Sequence, residues 1–76
     1  MNERETVKLN IGKNGLTSEF MKEVEIQLGK NRRVKIKVLP GGRQEGSTRE
    51  IADKIKSKLK CSIIDVRGFV FIVEKQ

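Results

Sequence analysis

The sequence predicts an α+β fold: a four-stranded mixed sheet with two helices on one face, forming a two-layer β-α-β-α-β-β sandwich. Hydrophobic residues make up 36% of the 76 residues, and 15 of them are Val or Ile, which favour strands. Ala52 is the only alanine, which argues against an all-helical bundle. Two segments carry apolar residues at helical spacing, and four carry them as strands do. A chain of this length is expected to form a single domain, residues 1–76.

The first half of the chain predicts a strand, a helix and a second strand. Apolar residues that alternate with polar ones indicate the first strand: Val7, Leu9 and Ile11. Apolar residues four positions apart indicate a helix over 18–28: Phe20, Val24 and Leu28. Thr17 and Ser18 are candidate N-caps of this helix, and Gly29 is its expected C-cap. Alternation resumes in the second strand: Val34, Ile36 and Val38.

A loop and a second helix follow. The composition of residues 40–47, rich in Gly with one Pro, indicates a loop. Ser47 or Thr48 can cap the helix, and Glu50 lies in its first turn, where a negative charge is favourable. Its buried stripe is expected to consist of Ile51, Ile55 and Leu59.

The chain ends in a predicted hairpin. Residues 62–66 and 69–74 are strand-like, and the dipeptide 67–68, Arg-Gly, is expected to join them tightly. The segment is similar to the octapeptide of RRM domains, in which aromatic side chains on a central strand stack on RNA bases. An RRM needs a further helix and strand after this motif, and only a few residues remain. Phe69 and Phe71 are therefore expected to fill the core.

The positive charge of the chain is the first indication of its function. Seventeen Lys and Arg oppose ten Asp and Glu, which leaves a net charge of +7. The charge is concentrated, because residues 30–43 contain no acid whereas residues 18–29 carry a local charge of −2. Polar side chains on the two alternating strands should project from the open face of the sheet: Lys8, Asn10, Lys35 and Lys37. A compact basic domain attracts polyanions, and nucleic acid is the commonest cytosolic one.

Residues that are absent or isolated argue against catalysis and metal binding. The chain has no His, so the usual general base and the usual zinc ligand are both missing. Cys61 is the single cysteine and is expected to fill core space. We therefore predict no enzyme, no cofactor and no metal site, and a nucleotide-binding enzyme subunit is disfavoured. No apolar run is long enough for a membrane span and the charged first residues form no signal peptide, so a cytoplasmic protein is predicted.

A Gly-x-x-Gly pattern lies between the first strand and the first helix, at Gly12, Lys13, Asn14 and Gly15. Two glycines let the backbone approach a phosphate closely, the helix N-terminus adds partial positive charge, and Lys13 adds a formal charge. KH domains clamp a nucleic-acid backbone with a loop of this type, although their loop joins two helices. By itself the pattern is also that of an ordinary turn, and its position between strand and helix favours the phosphate-binding interpretation.

Taken whole, the chain resembles the CRM domain (chloroplast RNA splicing and ribosome maturation) in its small YhbY-like form. The resemblance runs from about Val7 to Val73 and is most specific over residues 11–17, Ile-Gly-Lys-Asn-Gly-Leu-Thr. It implies a fold like the C-terminal domain of translation initiation factor three. It also implies binding to structured RNA, with precursors of the large ribosomal subunit as the bacterial partner and group II introns as the plant one. Bacterial members have a basic helix before the first strand, whereas only about six residues precede it here.

These observations together predict a non-catalytic protein that binds structured RNA, with ribosomal RNA or a large-subunit precursor as partner and ribosome assembly as the process. Phosphates are expected at Gly12, Lys13, Asn14 and Gly15, and four cationic residues are expected to extend the RNA-binding surface: Arg33, Lys35, Lys37 and Arg43. The protein is expected to be a monomer or weak dimer without a membrane partner. The alternatives are a KH-like or RRM-like general nucleic-acid-binding module, and a protein-interaction module that dimerises through the last apolar strand.

Overall fold

The computed structural model describes residues 6–76, in the element order expected from the sequence. The elements are β1 (Thr6–Ile11), α1 (Ser18–Lys30), β2 (Arg33–Val38), a 3₁₀ helix (Pro40–Glu45), α2 (Thr48–Lys58), β3 (Cys61–Arg67) and β4 (Val70–Lys75). The charged residues at the start of the sequence, considered above as a possible signal peptide, lie within residues 1–5 and so outside the described part. Within residues 6–76, no helix is long and apolar enough to cross a membrane.

The four strands form one mixed sheet in the order β1-β2-β4-β3. β1 and β2 are parallel, and β4 is antiparallel to both of its neighbours, β2 and β3. The last strand therefore lies inside the sheet, between two strands that precede it in the chain. Both helices pack on the same face, α1 over β1 and β2 and α2 over β3 and β4. The predicted two-layer α+β sandwich is confirmed.

The core lies between the sheet and the two helices. The parallel register aligns Leu9 with Ile36 and Ile11 with Val38, so the alternating apolar residues of β1 and β2 share one face. The helices and the other strands complete a cluster of buried side chains: Val24, Leu28, Val34, Ile51, Ala52, Ile55, Cys61, Phe71 and Val73. Fully burying a Val, Ile or Phe side chain contributes about 1.5–3 kcal/mol, so this cluster provides most of the stabilisation of a domain this small.

The ends of α1 are set by side-chain caps. Thr17 is the N-cap, and its hydroxyl accepts a hydrogen bond from the Phe20 amide at 3.0 Å. The predicted C-cap, Gly29, is wrong, because the helix continues through it. Asn31 ends the helix instead: its backbone amide donates to the Gln27 carbonyl at 2.7 Å, and its side-chain amide donates to the same oxygen at 3.3 Å.

The segment predicted as a loop, residues 40–47, is largely ordered as the 3₁₀ helix. Gly42 is buried against β1, and a Cβ on it would lie 2.6 Å from the Ile11 carbonyl oxygen, so only glycine fits without movement. Ser47 is the N-cap of α2, and Glu50 completes a capping box with it. Of the two candidate caps, Ser47 is therefore the one that the structure uses.

The β3–β4 hairpin turns one residue later than predicted. Its two-residue turn is Gly68-Phe69, with Gly68 at φ +56°, rather than Arg67-Gly68. As a result Phe71 is fully buried, whereas Phe69 is 46% exposed. The expectation that both aromatic residues fill the core is correct for Phe71 and wrong for Phe69.

Candidate nucleic-acid interface

Residues 12–15 form a tight turn that projects from the end of β1. The Gly15 amide donates to the Gly12 carbonyl at 2.9 Å, which closes the turn and places Lys13 and Asn14 at its corner. Both corner side chains are exposed. Within residues 6–76, the backbone amides of Lys13 and Asn14 donate to no protein acceptor. Among the described residues, the corner therefore carries two backbone amides without a protein acceptor and one exposed lysine side chain.

The two glycines of the turn have different environments. Gly15 is buried with φ +68°, and a Cβ on it would overlap the carboxylate of Glu45. Gly12 has no positive φ, and a Cβ on it would meet nothing within 4 Å. Glycine at position 15 is thus required by the fold, whereas glycine at position 12 is not required by any neighbour in the described chain.

The 3₁₀ helix holds the main chain of this turn in place. Its Gln44 side-chain amide donates to the Lys13 carbonyl at 3.0 Å. Its Gly41 backbone packs so closely that an added Cβ would lie 3.2 Å from the Lys13 backbone. Just ahead of it, the Leu39 amide donates to the Ile11 carbonyl at 2.9 Å. Contacts with the 3₁₀ helix therefore fix the backbone geometry of the turn in the absence of a ligand.

The start of α1 contributes less to this site than the sequence suggests. The Glu45 carboxylate accepts a hydrogen bond from the Leu16 amide at 3.3 Å, and Thr17 accepts the Phe20 amide. Lys54 in turn contacts Glu45, with 3.6 Å between its ammonium nitrogen and the carboxylate. Because the Glu45 carboxylate already lies at this end of the helix, an anion there would meet a negative charge, and the 12–15 corner is the more favourable position for it.

The hairpin turn brings an aromatic ring to the same end of the molecule. The Phe69 carbonyl accepts the Val38 amide at 2.7 Å, which fixes the turn against the end of β2. The Arg43 guanidinium lies over the Phe69 ring, 3.5 Å from its centroid. Arg43 belongs to the 3₁₀ helix, as does Gln44, which binds the 12–15 turn. We call this assembly of residues 12–15, Pro40–Glu45 and 68–69 the loop end.

The open face of the sheet continues the positive charge from the loop end. The parallel register places Lys8 beside Lys35 and Asn10 beside Lys37, on the face of the sheet opposite the buried residues, where the sequence predicts them. On the next strand, Ile72 is opposite Lys35 and Val70 is opposite Lys37. The lysines of the open face are therefore flanked by a half-buried apolar strip, consisting of Val70 and Ile72, that no helix covers in the described structure.

Arg33 is separated from the other predicted site residues. It begins β2, five residues and roughly 16 Å from the loop end at about 3.3 Å per residue. Its guanidinium pairs with the Glu74 carboxylate at 3.2 Å, and Arg32 approaches the same carboxylate at 3.4 Å. The structure thus groups Gly12, Lys13, Asn14, Gly15, Lys37 and Arg43 at one end, with Lys35 midway along the open face and Arg33 at the far end.

Comparison with known proteins supports the resemblance noted from the sequence. The family model of the CRS1 / YhbY (CRM) domain matches residues 2–75, nearly the whole chain. This chain belongs to the CRM domain family. A comparison with curated proteins gives no match.

Among solved structures, this CRM domain is similar to a hypothetical protein from Staphylococcus aureus that is described as a candidate RNA-binding protein. The TM-score is 0.69 at 20% sequence identity, and the likeness covers 88% of this chain and 68% of the other. At that level of identity the likeness shows a shared fold. It supports the βαβαββ architecture described above.

Three residues of the loop end in this CRM domain were not predicted from the sequence. Gln44 and Glu45 act through contacts with residues about thirty positions earlier, and nothing in their local sequence signals this. Phe69 carried a signal, since Gly at 68 is common in hairpin turns and can place the following residue at the turn rather than in the strand. The apolar run that begins at Phe69 is equally typical of a strand, and this is the pattern that predicts a buried ring.

The single cysteine lies away from this interface. Cys61 is 1% exposed in the core, and burial raises the pKa of its thiol, with the Lys56 charge acting weakly in the opposite sense. A thiol of raised pKa is a poor nucleophile near neutral pH. Among residues 6–76, no group of three or more His, Cys, Asp or Glu side chains is placed to bind a metal ion.

Proposed function

We propose that this CRM domain binds structured RNA, and that its partner is ribosomal RNA in a precursor of the large ribosomal subunit. Membership of the CRM family and the description of the staphylococcal relative as a candidate RNA-binding protein both support an RNA partner. The net charge of +7 supports a polyanionic one. The ribosomal assignment follows from the family resemblance.

The observation that carries the proposal is the corner of the 12–15 turn. The Lys13 ammonium and two backbone amides that have no acceptor within residues 6–76 form a small surface that suits a phosphate group. Lys37 and Arg43 lie beside it, and Lys35 extends the charge along the open face. Within residues 6–76 no ion pair involves Lys13, Lys37 or Arg43, which is consistent with a role in RNA binding.

This arrangement favours recognition of RNA shape over base sequence. Contacts from backbone amides and lysines reach phosphates, which position a protein on RNA without reading the bases. The chain has no Tyr or Trp, so aromatic groups for reading several successive bases are few. The domain therefore acts as a non-catalytic binding module whose specificity comes from the spacing of phosphates in a folded RNA.

A charge reversal at the turn tests this proposal. The double variant Lys13→Asp with Asn14→Asp should lower affinity for a stem-loop fragment of large-subunit ribosomal RNA by at least about tenfold, because two carboxylates would face the phosphate. Both positions are exposed, so the unfolding midpoint should be nearly unchanged. Affinity is measured by fluorescence anisotropy with a labelled fragment.

The matched control changes net charge equally at a distance. Ser57→Asp with Lys58→Asp adds the same negative charge at exposed positions in the last turn of α2, at the opposite end of that helix from the 3₁₀ helix, and should lower affinity far less. Equal losses of RNA affinity in the two double variants would show that binding depends on net charge and not on the turn. Unchanged affinity in the Lys13/Asn14 variant, with normal folding, would refute the proposed site.

The ribosomal assignment has its own test. Epitope-tagged protein in cell lysates should sediment with precursor large-subunit particles, and the Lys13/Asn14 variant should shift to the top of the gradient. If the wild-type protein is found only at the top of the gradient, the assembly role is contradicted. RNA binding itself is tested separately by the fragment assay.

The alternative of a dimerisation module makes a different prediction. β4 is paired on both edges, so it cannot join a second sheet edge to edge. Only its open-face strip, Val70 and Ile72, could contact a partner, and in a symmetric pair the lysines opposite that strip would repel. We expect a monomer in analytical ultracentrifugation at micromolar concentration, and a stable dimer lost on Ile72→Asp would favour the alternative.

A further inference from the structure

The pairing of Arg43 with Phe69 is a feature that phosphate binding does not explain. Residues at an exposed hairpin turn are usually polar, yet this turn carries Phe69, which is 46% exposed. The guanidinium of Arg43 is stacked 3.5 Å from the ring centroid, which holds two planar groups together at the surface. A guanidinium plane and an aromatic ring are the two protein surfaces on which nucleobases stack.

The position of this pair relative to the 12–15 turn is fixed by hydrogen bonds. The Phe69 carbonyl is bound to the end of β2, and the Leu39 amide that follows is bound to the end of β1, directly before the turn. From the other side, Gln44, the neighbour of Arg43, donates to the Lys13 carbonyl. The stacked pair and the phosphate-binding corner therefore belong to one rigid unit.

We propose that the Arg43–Phe69 pair is a stacking platform for one unpaired nucleobase, whose neighbouring phosphate is held at the 12–15 turn. This inference rests on the proposed function and narrows its substrate class to RNA with an unpaired nucleotide beside a helix, such as a bulge. A base within a continuous duplex is stacked on both sides and cannot reach the platform. Stacking is sequence-tolerant, so the platform recognises the unpaired state more than the base identity.

Two RNA probes test this. One is a stem with a single bulged 2-aminopurine, whose fluorescence falls on stacking, and the other is the same stem without the bulge. Phe69→Ala should weaken binding of the bulged stem roughly 5- to 150-fold, the range for loss of one base–aromatic stack. It should also abolish the fluorescence change, and it should alter binding of the continuous stem by less than about twofold.

The choice of variants separates a ring from a merely apolar contact. Phe69→Leu keeps an apolar side chain without an aromatic plane, and it should behave as Phe69→Ala does. Phe69→Trp keeps an aromatic plane, and it should retain binding of the bulged stem and the fluorescence quenching. Ile26→Ala is the matched control, because Ile26 is 44% exposed on α1 and lies outside the loop end. Unfolding midpoints of all four variants should stay close to that of the wild type.

Each other outcome overturns the platform. Retained bulge binding in Phe69→Leu would make the contact hydrophobic rather than stacked, and equal effects on both stems would remove the preference for unpaired bases. Phe69 variants that change only the self-association of the protein would make the ring a protein-docking residue. The Lys13/Asn14 variant reports separately on the proposed function, since it should weaken binding of both stems.

Discussion

Phe69 and Phe71 show how far a shift of one residue changes the role of a side chain. Phe71 is the largest fully buried side chain of the described core, whereas Phe69 is nearly half exposed at the turn. Phe71→Ala should lower the free energy of unfolding by about 3–5 kcal/mol, because it leaves a cavity in a small core. Phe69→Ala should cost no more than about 1 kcal/mol, the value of an exposed cation–π contact. Urea unfolding followed by circular dichroism measures both.

Phe69→Ala is the internal control of this comparison, because it deletes the same side chain two residues away. If Phe71→Ala is unfolded without denaturant, Phe71→Leu gives a measurable midpoint. A loss of several kcal/mol in Phe69→Ala, equal to that in the Phe71 variant, would contradict the exposed position of this ring.

Cys61 provides a pH-dependent contribution to stability. Burial raises its pKa above the ordinary value of 9.0, so the unfolded chain loses the thiol proton at a lower pH than the folded one. Its contribution is therefore complete below about pH 9 and is lost as the pH rises towards the folded pKa. The difference in urea midpoint between wild type and Cys61→Ala should shrink from about pH 7 to about pH 10.

The wild-type protein and the Cys61→Ala variant differ in no other ionisable group, so the difference between their midpoints isolates the thiol. A constant difference across this pH range would show that the thiol titrates equally in both states.

At the scale of the elements, the two glycines of the 12–15 turn should separate folding from binding. Gly15→Ala should destabilise the protein by at least about 1–2 kcal/mol, because its φ is positive and its Cβ would displace Glu45. Gly12→Ala should leave stability within about 0.5 kcal/mol but should weaken RNA binding several-fold, because the methyl group obstructs the approach of a phosphate. Thermal unfolding and anisotropy titration measure the two effects.

Gly29→Ala is the control for these substitutions. Nothing lies within 4 Å of a Cβ at Gly29, and the residue is inside α1, so alanine there should raise stability by about 1 kcal/mol and leave RNA affinity unchanged. Wild-type RNA affinity in Gly12→Ala would indicate that no phosphate approaches this part of the turn.

Elements with a local signal could be predicted, and elements made by distant contacts could not. Thr17 and Ser47 follow the local pattern of N-caps, and the strand and helix order follows from apolar spacing. Glycine is common after the end of a helix, so the sequence favours Gly29 as the C-cap. The actual end of α1 depends on the Asn31 side chain, which donates a hydrogen bond back to the helix. The 3₁₀ helix depends on the packing of Gly42 against β1, about thirty residues earlier, which composition does not encode.

The same reasoning explains what could be predicted of the site. Lysines on alternating positions of β1 and β2 were placed correctly on the open face, because strand periodicity determines direction. The grouping of Arg43 with the 12–15 turn depends on how the 3₁₀ helix folds back, which is a tertiary property without a local pattern. The separation of Arg33 from that turn follows from its position at the start of β2.

At the scale of the whole molecule, the charge distribution predicts a steep dependence of RNA binding on salt. If four to six phosphates are neutralised, log affinity should fall linearly with log salt with a slope of roughly −3.6 to −5.4, at about 0.9 per phosphate as on duplex DNA. Lys37→Gln should reduce the slope by about 1. Arg33→Gln should change it least, because Arg33 already pairs with Glu74 at the far end of the sheet.

Anisotropy titrations of the stem-loop RNA fragment over a range of potassium chloride concentrations give these slopes. A nearly flat salt dependence would refute the electrostatic basis of binding, and equal slope changes in the two variants would refute the separation of Arg33 from the site.

The interior position of β4 has a consequence for how the protein forms during synthesis. β2 and β3 share no backbone hydrogen bonds with each other, and β4 joins them by pairing with both. A nascent chain that has not yet released Val70–Lys75 has an open seam in its sheet and lacks Phe71, so its two helices have only part of a surface to pack on. In such a chain Phe69 is not yet fixed to the end of β2, so its ring is not held against Arg43. During translation the loop end therefore stays incomplete until β4 is inserted between β2 and β3.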